Sequence, residues 1–556
     1  GLTAYTPGLS LRPNVCEAWE VSDDARICTY HLRKGLRWSD GHPVTSVDAG
    51  FYHEQIVHPR LGSVLGGATR DVPGISTPDY FTVEFHFGQP NPFHPHEMTS
   101  DLPLQPAHYL SHWHGDHADP AALSEAAQAQ GLRSWEGLFL IKSHWAGNPE
   151  LPVLHTWVLA GDPRGTEIVL ERNPFFFQID THGQQLPYLD QVILARYDTQ
   201  SALLQNLQEG DLDLHTETLT PADTGRLEST CGEVGHALIP LPSSWHLVLE
   251  PNIAYQDEPL RAFLSDRQVR EALALAVDRE AINTFCYDGR CRPRQYSPVR
   301  ASPQYDQALA NSHVAYDPTA AAALLDEAGY AERDAEGWRT AAGGEGLSLR
   351  IVTTSSEGAP AEQAAQLAAG FLQDVGLDCR VERLDHLDYI RRSLANRIQI
   401  ALTERDHMLL PIVAEHKRLL AVGDMRDAWA GAYLHHRLYG TDHPDYIAVE
   451  PPEGHWIRAY WALWDEIGIT VDEQERDALY AEVLALWRRE IPVIGLLGEA
   501  PQPLVVSANL RNVRTDLPYD LQTGGLALLA PQQLYWEPHE YRAVPTPTGG
   551  SLSRKE

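Results

Sequence analysis

A chain of 556 residues is too long to fold around one hydrophobic core, so two or three domains are expected. Apolar residues make up 43% of it and charged residues 21%, which is typical of a globular protein, and no apolar run approaches the roughly 18 to 20 residues of a membrane span. The formal net charge of −33 argues against nucleic acid and anionic lipid surfaces as partners.

The N-terminal part of the chain predicts β-structure interrupted by a helix. Residues 11–37 contain two β-rich arms around a turn cluster at 22–24, which predicts a hairpin. A second turn follows at 39–41, and Thr45 is placed to cap a helix. Residues 77–87 alternate apolar and polar side chains, which predicts a half-buried strand.

A strand followed by an amphipathic helix organises the middle of the chain. Residues 245–255 form an apolar run that predicts a buried strand. Residues 260–282 follow, and their apolar side chains recur at helical spacing, at Val269, Ala272, Leu273, Ala276 and Val277. Ser265 precedes Gln268 by three residues in a capping-box pattern, and Asp278 is placed to cap a second short helix.

The remaining periodic segments predict an α/β fold. A strand at 347–356, a helix at 360–376 and a strand at 377–384 make a βαβ unit, so the two strands should be parallel with a right-handed crossover. A further amphipathic helix at 472–490 runs into the apolar segment 491–513, which predicts a buried strand and a turn.

Several motifs resemble those of family 5 solute-binding proteins of ABC importers, the dipeptide- and oligopeptide-binding family. HLRKG followed by WSDG occurs at 31–41, RNP…D..G.QLPYLD.V occurs at 172–192, and PLR…RQVREALALAVDREAI occurs at 259–282. The resemblance covers nearly the whole chain and is weakest at 400–455. It implies a two-lobed, periplasmic-binding-protein-like α/β fold of cluster C type, with a third subdomain inserted in lobe one.

The same resemblance implies a binding protein and not an enzyme. The ligand would lie between the lobes, be enclosed by hinge closure about two crossing strands, and pass to ABC permease subunits in the membrane, without a cofactor or a metal. It would be an oligopeptide or an oligosaccharide, since residues 108–158 resemble a branch of the family to which both ligand classes are assigned. We expect a monomer in the periplasm or outside the cell, tethered to the membrane if it is a lipoprotein. No GxSxG, HExxH or Walker A motif occurs, which agrees with a binding protein.

The resemblance also divides the chain into domains. The expected segments are 1–37, 166–250 and 494–543 for lobe one, 38–165 for its inserted subdomain, 251–493 for lobe two, and 544–556 for a disordered tail. The two crossing strands are expected near 247–250 and 491–496. Members of the family carry a first strand of lobe one ahead of the hairpin, so we expect this N-terminal strand to be missing.

Trp245 is the first candidate for a ligand contact. It begins the strand that should cross between the lobes, and an aromatic face stacks on sugar rings or on apolar peptide side chains. Trp429 and Tyr433 are further candidates on lobe two. Asp406 follows a strand after which peptide-binding members hold the ligand's α-ammonium, but residues 403–405 depart from the aromatic and glycine residues usual there. The alternatives are core packing for the aromatic residues and a surface position for Asp406.

A second class of function rests on His112, His114 and His117, which lie within six residues and could ligate zinc in a hydrolase. The alternative is a polar surface loop, and no general base occurs at motif spacing. A third hypothesis is a sensory ectodomain or an extracytoplasmic chaperone built on the same lobes. Cys286 and Cys291 flank a short loop and could form a disulfide in an exported protein, or remain two free thiols.

Overall fold

The computed structural model describes residues 1–61, 73–341, 343–406, 408–413, 430–440, 447–516, 518–520, 525 and 529–537. Its α-helices are α1 Ser46–Val57, α2 His94–Glu97, α3 Ala107–Leu110, α4 Pro120–Ala129, α5 Trp135–Ser143, α6 Gln200–Glu209, α7 Thr224–Glu228, α8 Glu258–Ser265, α9 Arg267–Ala276, α10 Arg279–Tyr287, α11 Gln307–Ala310, α12 Pro318–Glu327, α13 Pro360–Asp374, α14 His386–Leu394, α15 Gly431–Tyr439, α16 Trp456–Ile469 and α17 Glu473–Glu490.

The strands of the described residues form several separate sheets. The larger sheets have the strand orders β3-β4-β6-β5, β7-β8-β9, β10-β18-β11 and β13-β17-β12-β16-β14-β15, and β1-β2 and β19-β20 are two-stranded pairs. The bounds are β1 Thr3–Tyr5, β2 Leu11–Pro13, β3 Cys16–Val21, β4 Ile27–Leu32, β5 Gly74–Asp79, β6 Thr82–His86, β7 Trp157–Ala160, β8 Glu167–Arg172, β9 Gln191–Ala195, β10 Leu214–His215, β11 His236–Leu241, β12 His246–Pro251, β13 Arg292–Pro293, β14 Ser348–Thr353, β15 Asp378–Arg383, β16 Ile400–Arg405, β17 Ile494–Gly498, β18 Gln502–Ser507, β19 Leu510–Arg511 and β20 Tyr535–Trp536.

The six-stranded sheet is covered by helices on both faces, and we assign it to lobe two. Leu247 and Leu249 of β12 join a buried cluster with α9 and α13 on one face, while Val248 joins a second cluster with α16 and α17 on the other. Successive side chains of a strand point to opposite faces, so a strand buried on both faces has a continuous apolar sequence. The predicted βαβ unit is confirmed, since β14 and β15 are parallel and α13 connects them.

Two connections join this sheet to the three-stranded sheet β10-β18-β11, which we assign to lobe one. β11 runs into β12, and β17 runs into β18. The two connections run side by side. On one side of them β12 pairs with β17, and on the other side β11 pairs with β18, both antiparallel. The adjacency predicted for segments 247–250 and 491–496 is therefore confirmed. Between the sheets, Ser243 Oγ donates to the carbonyl of Ala500, and the Glu499 N–H donates to the carbonyl of Trp245 at 2.9 Å.

Two buried arginines fasten the helices that follow β12 to the chain entering β17. Arg270 Nε and Nη2 donate to the carbonyl of Glu490 at 3.0 and 2.7 Å. Arg279 Nε donates to the carbonyl of Gly495 and its Nη1 to the carbonyl of Ala274, each at 2.8 Å. These bonds offset most of the cost of burying the two charges, although Arg279 Nη2 has no partner among the described residues, and both side chains serve as cross-links around the six-stranded sheet.

Two local predictions need correction. Residues 77–87 do not form one strand, because the chain turns at residues 80–81 and Asp79 Oδ1 accepts the N–H of Phe81 at 2.7 Å. Residues 260–282 are three helices, and α9 is capped by Asp266 and not by Ser265, with Asp266 Oδ1 accepting the N–H of Gln268 at 2.7 Å. The cap predicted at Asp278 is confirmed.

No helix among the described residues has the length and apolar character needed to cross a bilayer. The hairpin predicted within 11–37 is confirmed as β3 and β4, and Thr45 is the N-cap of α1, as expected, where it forms a capping box with Asp48. The expectation of a missing first strand in lobe one stays a prediction, as do the domain boundaries.

Candidate functional site

The end of the six-stranded sheet nearest the two connections carries a row of residues from four strands. Arg292 pairs with Gly498, Gly498 with His246, and His246 with Arg405. Residues directly opposite in adjacent strands share a face of the sheet, so this row lies on one face, at the point where β12 and β17 leave lobe two. His246 is buried in this row, and the guanidinium carbon of Arg405 lies 5.3 Å from the centroid of the Tyr296 ring.

Trp245 lies immediately before β12 and packs against the cluster on the opposite face of the sheet, with Leu247 and Leu249. Its ring is half-buried and packs 5.5 Å, centroid to centroid, from the ring of Tyr287. Glu404 is directly opposite Leu247 in β16, and its side chain reaches solvent. Desolvation by the surrounding protein raises the pKa of Glu404, and a hydrogen bond from the Trp245 side chain opposes that rise. The two side chains therefore form one unit, an aromatic face with a carboxylate at its polar edge.

Asp406 follows β16 directly and faces the C-terminal segment of lobe one. The Tyr519 hydroxyl is buried without a hydrogen-bond partner among the described residues. Burial raises the pKa of Tyr519 to about 12, with further contributions from the charges of Glu217, Asp406 and Asp520. Carboxylates on opposite sides of the connections are thus close enough to act on one hydroxyl. The role of Asp406 as a ligand contact stays a prediction.

On the face of the sheet that carries α16 and α17, Arg405 is held by a buried acid. Its Nε donates to Glu250 Oε1 at 2.8 Å, and its guanidinium carbon lies 5.3 Å from the centroid of the Tyr296 ring. Glu250 also accepts a hydrogen bond from Thr403 Oγ1. An aromatic cavity adjoins this group, lined in part by Tyr296, Arg405, Tyr460, Trp464, Tyr480 and Trp487. Arg405 is therefore fixed in orientation before any ligand arrives.

The other two aromatic candidates are not part of this group. Tyr433 lies in α15, is buried in the cluster with α16 and α17, and packs 5.3 Å from the ring of His455. Its hydroxyl donates to the carbonyl of Ile253 at 3.4 Å, so both its face and its polar atom are engaged within lobe two. Its role as a ligand contact stays a prediction. Trp429 lies outside the described residues.

The three histidines considered for zinc do not converge on a common point. The exposed His112 bonds through Nδ1 to the carbonyl of Tyr109 at 3.3 Å, and His117 Nε2 pairs with Glu54 Oε2 at 3.0 Å. His114 is buried, with its ring 5.1 Å from that of His117, and its Nδ1 accepts the backbone N–H of Asp116 at 3.2 Å. The fold therefore does not bring His112, His114 and His117 together as the metal site that the hydrolase hypothesis requires.

A different group, His58, His114 and Asp116, brings potential ligand atoms within 4.8 Å of one another. In both rings, however, Nδ1 accepts a backbone N–H, from Arg60 at 3.1 Å for His58 and from Asp116 at 3.2 Å for His114. A neutral imidazole with an accepting Nδ1 carries its proton on Nε2. A metal at the two Nε2 atoms would have to break both bonds, since ligating histidines donate from the other nitrogen. These side chains are better arranged for a hydrogen bond between His58 and Asp116 than for binding a metal ion.

All six cysteines are buried free thiols in the structure, including Cys286 and Cys291. The disulfide considered between these two is therefore not formed. Burial raises the pKa of the Cys286 thiol to about 11 and that of Cys291 to about 12, so neither is a reactive thiolate at neutral pH.

Of the residues described here, the sequence singled out Trp245 and Asp406, whose roles stay predictions, and did not single out Glu404, Tyr519 or Glu499. The signal for Glu404 was present, because residues 403–405 replace the aromatic and glycine residues expected before Asp406. What the sequence did not supply was the pairing register that sets Glu404 opposite Leu247 and beside Trp245. Tyr519 and Glu499 come from segments remote in sequence and had no local pattern to single them out.

Comparison with known proteins identifies relatives over almost the whole chain. The model of the family described as bacterial extracellular solute-binding proteins, family 5, matches residues 10–406. A periplasmic alpha-galactoside-binding protein of Rhizobium meliloti (strain 1021) is 23% identical over 529 residues, which cover 91% of this chain and 71% of that protein.

Solved structures share the fold. An oligopeptide-binding protein, OppA, is 25% identical and superposes with a TM-score of 0.77 over 96% of this chain and 87% of its own. The periplasmic binding protein MelB of Agrobacterium fabrum C58, in complex with stachyose, is 20% identical, with a TM-score of 0.67 over 98% of this chain and 81% of its own. The mixed α/β architecture is thus that of two-lobed binding proteins.

Proposed function

Because this chain belongs to the bacterial extracellular solute-binding proteins of family 5, we propose that it is the substrate-binding component of an ABC importer. It captures an oligomeric solute between its lobes, outside the cytoplasmic membrane, and delivers it to the permease subunits. No bond in the ligand is made or broken, and the residues at the lobe boundary act by binding and orientation alone.

The ligand class that we propose is an oligopeptide. Asp406 lies at the end of β16, and the charges of Glu217, Asp406 and Asp520 all act on the buried Tyr519 hydroxyl. A site that gathers carboxylates suits a cation, and the α-ammonium of a peptide needs an opposite charge once closure removes its water. This concentration of carboxylates at the lobe boundary is the observation on which the proposal rests.

An oligosaccharide is the second candidate, and a separate observation favours it. The half-buried ring of Trp245 is joined to the Glu404 carboxylate by a hydrogen bond. A sugar ring stacks on an aromatic face while its hydroxyls bond to a nearby acceptor, so this unit fits a pyranose as well as it fits an apolar peptide side chain. The similarity to an alpha-galactoside-binding protein points the same way.

Closure of the lobes follows from the two connections. Ligand binding stabilises the closed form only if the ligand contacts both lobes better there than in the open form. The described structure already has contacts between the assigned domains, because Arg476 of α17 lies 5.1 Å from the ring centroid of Phe93 in the inserted subdomain. We infer that it represents a closed arrangement, which is the form a permease would recognise.

Native mass spectrometry of the protein as purified tests the ligand class directly, because an enclosed ligand is retained and its mass separates peptide from sugar. Calorimetry with tetra-alanine and with stachyose then tests the residues. Asp406→Asn should abolish binding of tetra-alanine and leave stachyose nearly unaffected, whereas Trp245→Ala should weaken whichever ligand binds by roughly 1–3 kcal/mol.

Matched controls are an exposed acid of α14 and an exposed tryptophan of the inserted subdomain, Asp388→Asn and Trp145→Ala. Neither should change the affinity. If neither Asp406→Asn nor Trp245→Ala alters binding of the retained ligand, the proposed contacts are wrong.

A further inference from the structure

A cavity of about 450 Å³ lies among segments that we assign to lobe one. Its lining comes from the β1–β2 hairpin, from the residue after β4, and from residues within 177–186 and 514–533. No residue of the segment assigned to lobe two lines it, and neither do Trp245 and Asp406. Small-molecule sites have volumes of about 300–1,000 Å³, so the cavity is large enough for a ligand of its own.

Three arginine side chains line this cavity, and each comes from a different segment. They are Arg12 of β2, Arg33, which follows β4, and Arg514. None of the described residues that line the cavity is Asp or Glu, although the whole chain has 76 acidic residues against 43 basic ones. The lining therefore concentrates positive charge in a chain whose formal net charge is −33.

The protein uses only part of the hydrogen-bonding capacity of these guanidinium groups. Arg33 Nε donates to the carbonyl of Asn14 at 2.7 Å, which orients the group at the cavity wall. Arg514 Nη2 donates to Asp516 Oδ2 at 3.1 Å, and the Asp516 side chain is 69% exposed. Within the described part of the chain, Arg12 and Arg33 have no ion pair. A guanidinium has five N–H donors, so most donors of these two groups are available to a ligand.

A row of side-chain amides forms another part of the wall. Gln532 Nε2 donates to Gln178 Oε1 at 3.1 Å, and Gln178 Nε2 donates to Asn14 Oδ1 at 3.0 Å. Asn14 Nδ2 in turn donates to the carbonyl of Gly1 at 2.9 Å. Each amide nitrogen has a second N–H. The row therefore holds three amides from remote segments side by side, with donors left over for the hydroxyl groups of a ligand.

The arrangement of the arginines distinguishes between kinds of anion. A carboxylate is planar, has two oxygens, and is matched by one guanidinium in bidentate contact. A phosphate monoester carries up to two charges and has three acceptor oxygens that point in different directions. Guanidinium groups that reach one cavity from three separate segments are better matched to the phosphate.

We propose that this cavity of lobe one binds a small soluble phosphate ester that carries hydroxyl groups, such as a sugar phosphate, at a site separate from that of the transported solute. The phosphate contacts Arg12, Arg33 and Arg514, and the hydroxyl groups contact the amides of Gln178 and Gln532. Because the lining joins the N-terminal hairpin to the C-terminal segment, an occupied site holds these two parts of lobe one together.

Calorimetry with three ligands on one sugar frame tests the phosphate. Glucose 6-phosphate, glucuronate and glucose differ only at carbon 6. Glucose 6-phosphate should bind, glucuronate should bind about tenfold more weakly or less, and glucose should not bind. The second pKa of a phosphate ester is about 6, so the affinity for glucose 6-phosphate should rise between about pH 5 and pH 7.5, while that for glucuronate should not change. Equal affinities for the three ligands would overturn the proposal.

The double variant Arg12→Gln/Arg514→Gln tests the site and leaves the backbone contact of Arg33 intact. Loss of charge-assisted hydrogen bonds should weaken binding of glucose 6-phosphate about tenfold or more. The thermal midpoint without ligand, and the affinity for the solute retained on purification, should stay those of the native protein. Arg12→Lys/Arg514→Lys keeps both charges and should retain part of the affinity, which separates a binding site from a folding defect.

Two further variants report on charge alone. Asp516→Asn removes the carboxylate that competes for Arg514, so glucose 6-phosphate should bind more tightly. The control is Arg164→Gln/Arg196→Gln, which removes two exposed arginines outside the cavity and should leave the affinity unchanged. An equal loss in the control and in the cavity variant would show an effect of net charge and would overturn the site.

The remaining outcomes would place the phosphate elsewhere. If Trp245→Ala weakens glucose 6-phosphate as much as the arginine variant does, the ester binds between the lobes and the site in lobe one is wrong. If glucose 6-phosphate does not bind at millimolar concentration but vesicles of phosphatidylglycerol bind through Arg12 and Arg514, the phosphate belongs to a lipid and the soluble ligand class is wrong. No binding in either assay would overturn the proposal altogether.

Discussion

An ion pair connects segments that we assign to different lobes, outside the crossing connections, and on that assignment breaking it should shift the balance between open and closed forms. Glu228 ends α7 on the side assigned to lobe one, and Arg290 follows α10 in lobe two. Arg290 Nη1 and Nη2 donate to Glu228 Oε1 and Oε2 at 2.8 and 2.7 Å. The contact is bidentate, which is the geometry in which an arginine–carboxylate pair is strongest.

The magnitude follows from geometry and exposure. The side chain of Glu228 is 51% exposed and that of Arg290 is 26% exposed, so solvent screens the pair. Exposed pairs contribute about 0.2–1 kcal/mol, and the bidentate geometry places this one near the upper end, at about 1 kcal/mol. Removing it should therefore lower the closed-to-open ratio about fivefold, and the apparent ligand affinity by no more than that factor.

The assay is a double-mutant cycle read by the distance between spin labels placed on the two lobes. Glu228→Gln, Arg290→Gln and the double variant should give nearly the same reduced closed population, because each removes one shared interaction. High salt should reduce the closed population of the native protein towards that of the variants. The exposed pair within α14, Arg391 with Asp388 at 3.2 Å, supplies the control, since Arg391→Gln should leave the distance unchanged.

The pair also predicts a pH dependence with a definite sign. The hydrogen bond from Arg290 holds the pKa of Glu228 below its ordinary value of 4.5. A lowered pKa in the paired state means that the contribution is present above pH 4.5 and is lost as pH falls through the lowered value. Arg290→Gln should abolish this dependence. A closed population unaffected by substitution, salt and acid would refute the assignment of this pair as a latch.

Three further predictions concern lobe two. Arg279→Met should lower the free energy of unfolding by about 2–4 kcal/mol in denaturant titrations, because it leaves several buried carbonyls without donors. Asp266→Ala should cost about 1 kcal/mol as the loss of the α9 cap, while Ser265→Ala should cost little, and equal losses would contradict the cap assignment. Glu404→Gln should raise stability at neutral pH and flatten its dependence on pH. In the native protein the raised pKa of Glu404 contributes stability that is fully present below pH 4.5 and is lost as pH rises through the higher pKa of the folded state. Thermal melts of both proteins from pH 4 to 8 check this.

The sequence predicted the elements whose signals are local. The βαβ unit, the β3–β4 hairpin and the cap at Asp278 each depend on periodicity or on a residue within a few positions of the element it controls. The prediction was wrong where two local signals competed. Residues 265 and 266 are both of types that commonly cap helices. Asp266 is the N-cap of α9 because its backbone has the extended conformation that this position requires.

The site was predicted less completely, because its parts meet through long-range pairing. His246 lies opposite Arg405, and Arg292 lies opposite Gly498, so each contact depends on a register between segments far apart in the chain. A one-residue slip of β16 would exchange the positions of Glu404 and Arg405 between the two faces. Tyr433 illustrates a second difficulty. It is buried in the structure, and the sequence alone does not distinguish an aromatic side chain in a core from one that lines a cleft.

In the function proposed above, recognition and closure depend on the same connections. Trp245 and Glu499 belong to the two connections between the lobes, and the Glu499 N–H donates to the carbonyl of Trp245. A ligand that stacks on Trp245, as proposed, would act on the backbone of these connections. A ligand drives closure only through a difference in its affinity for the two forms. Contacts at the connections supply that difference most directly. A small rotation there changes the distance between the contact residues and the ligand, and it changes the separation of the lobes at the same time.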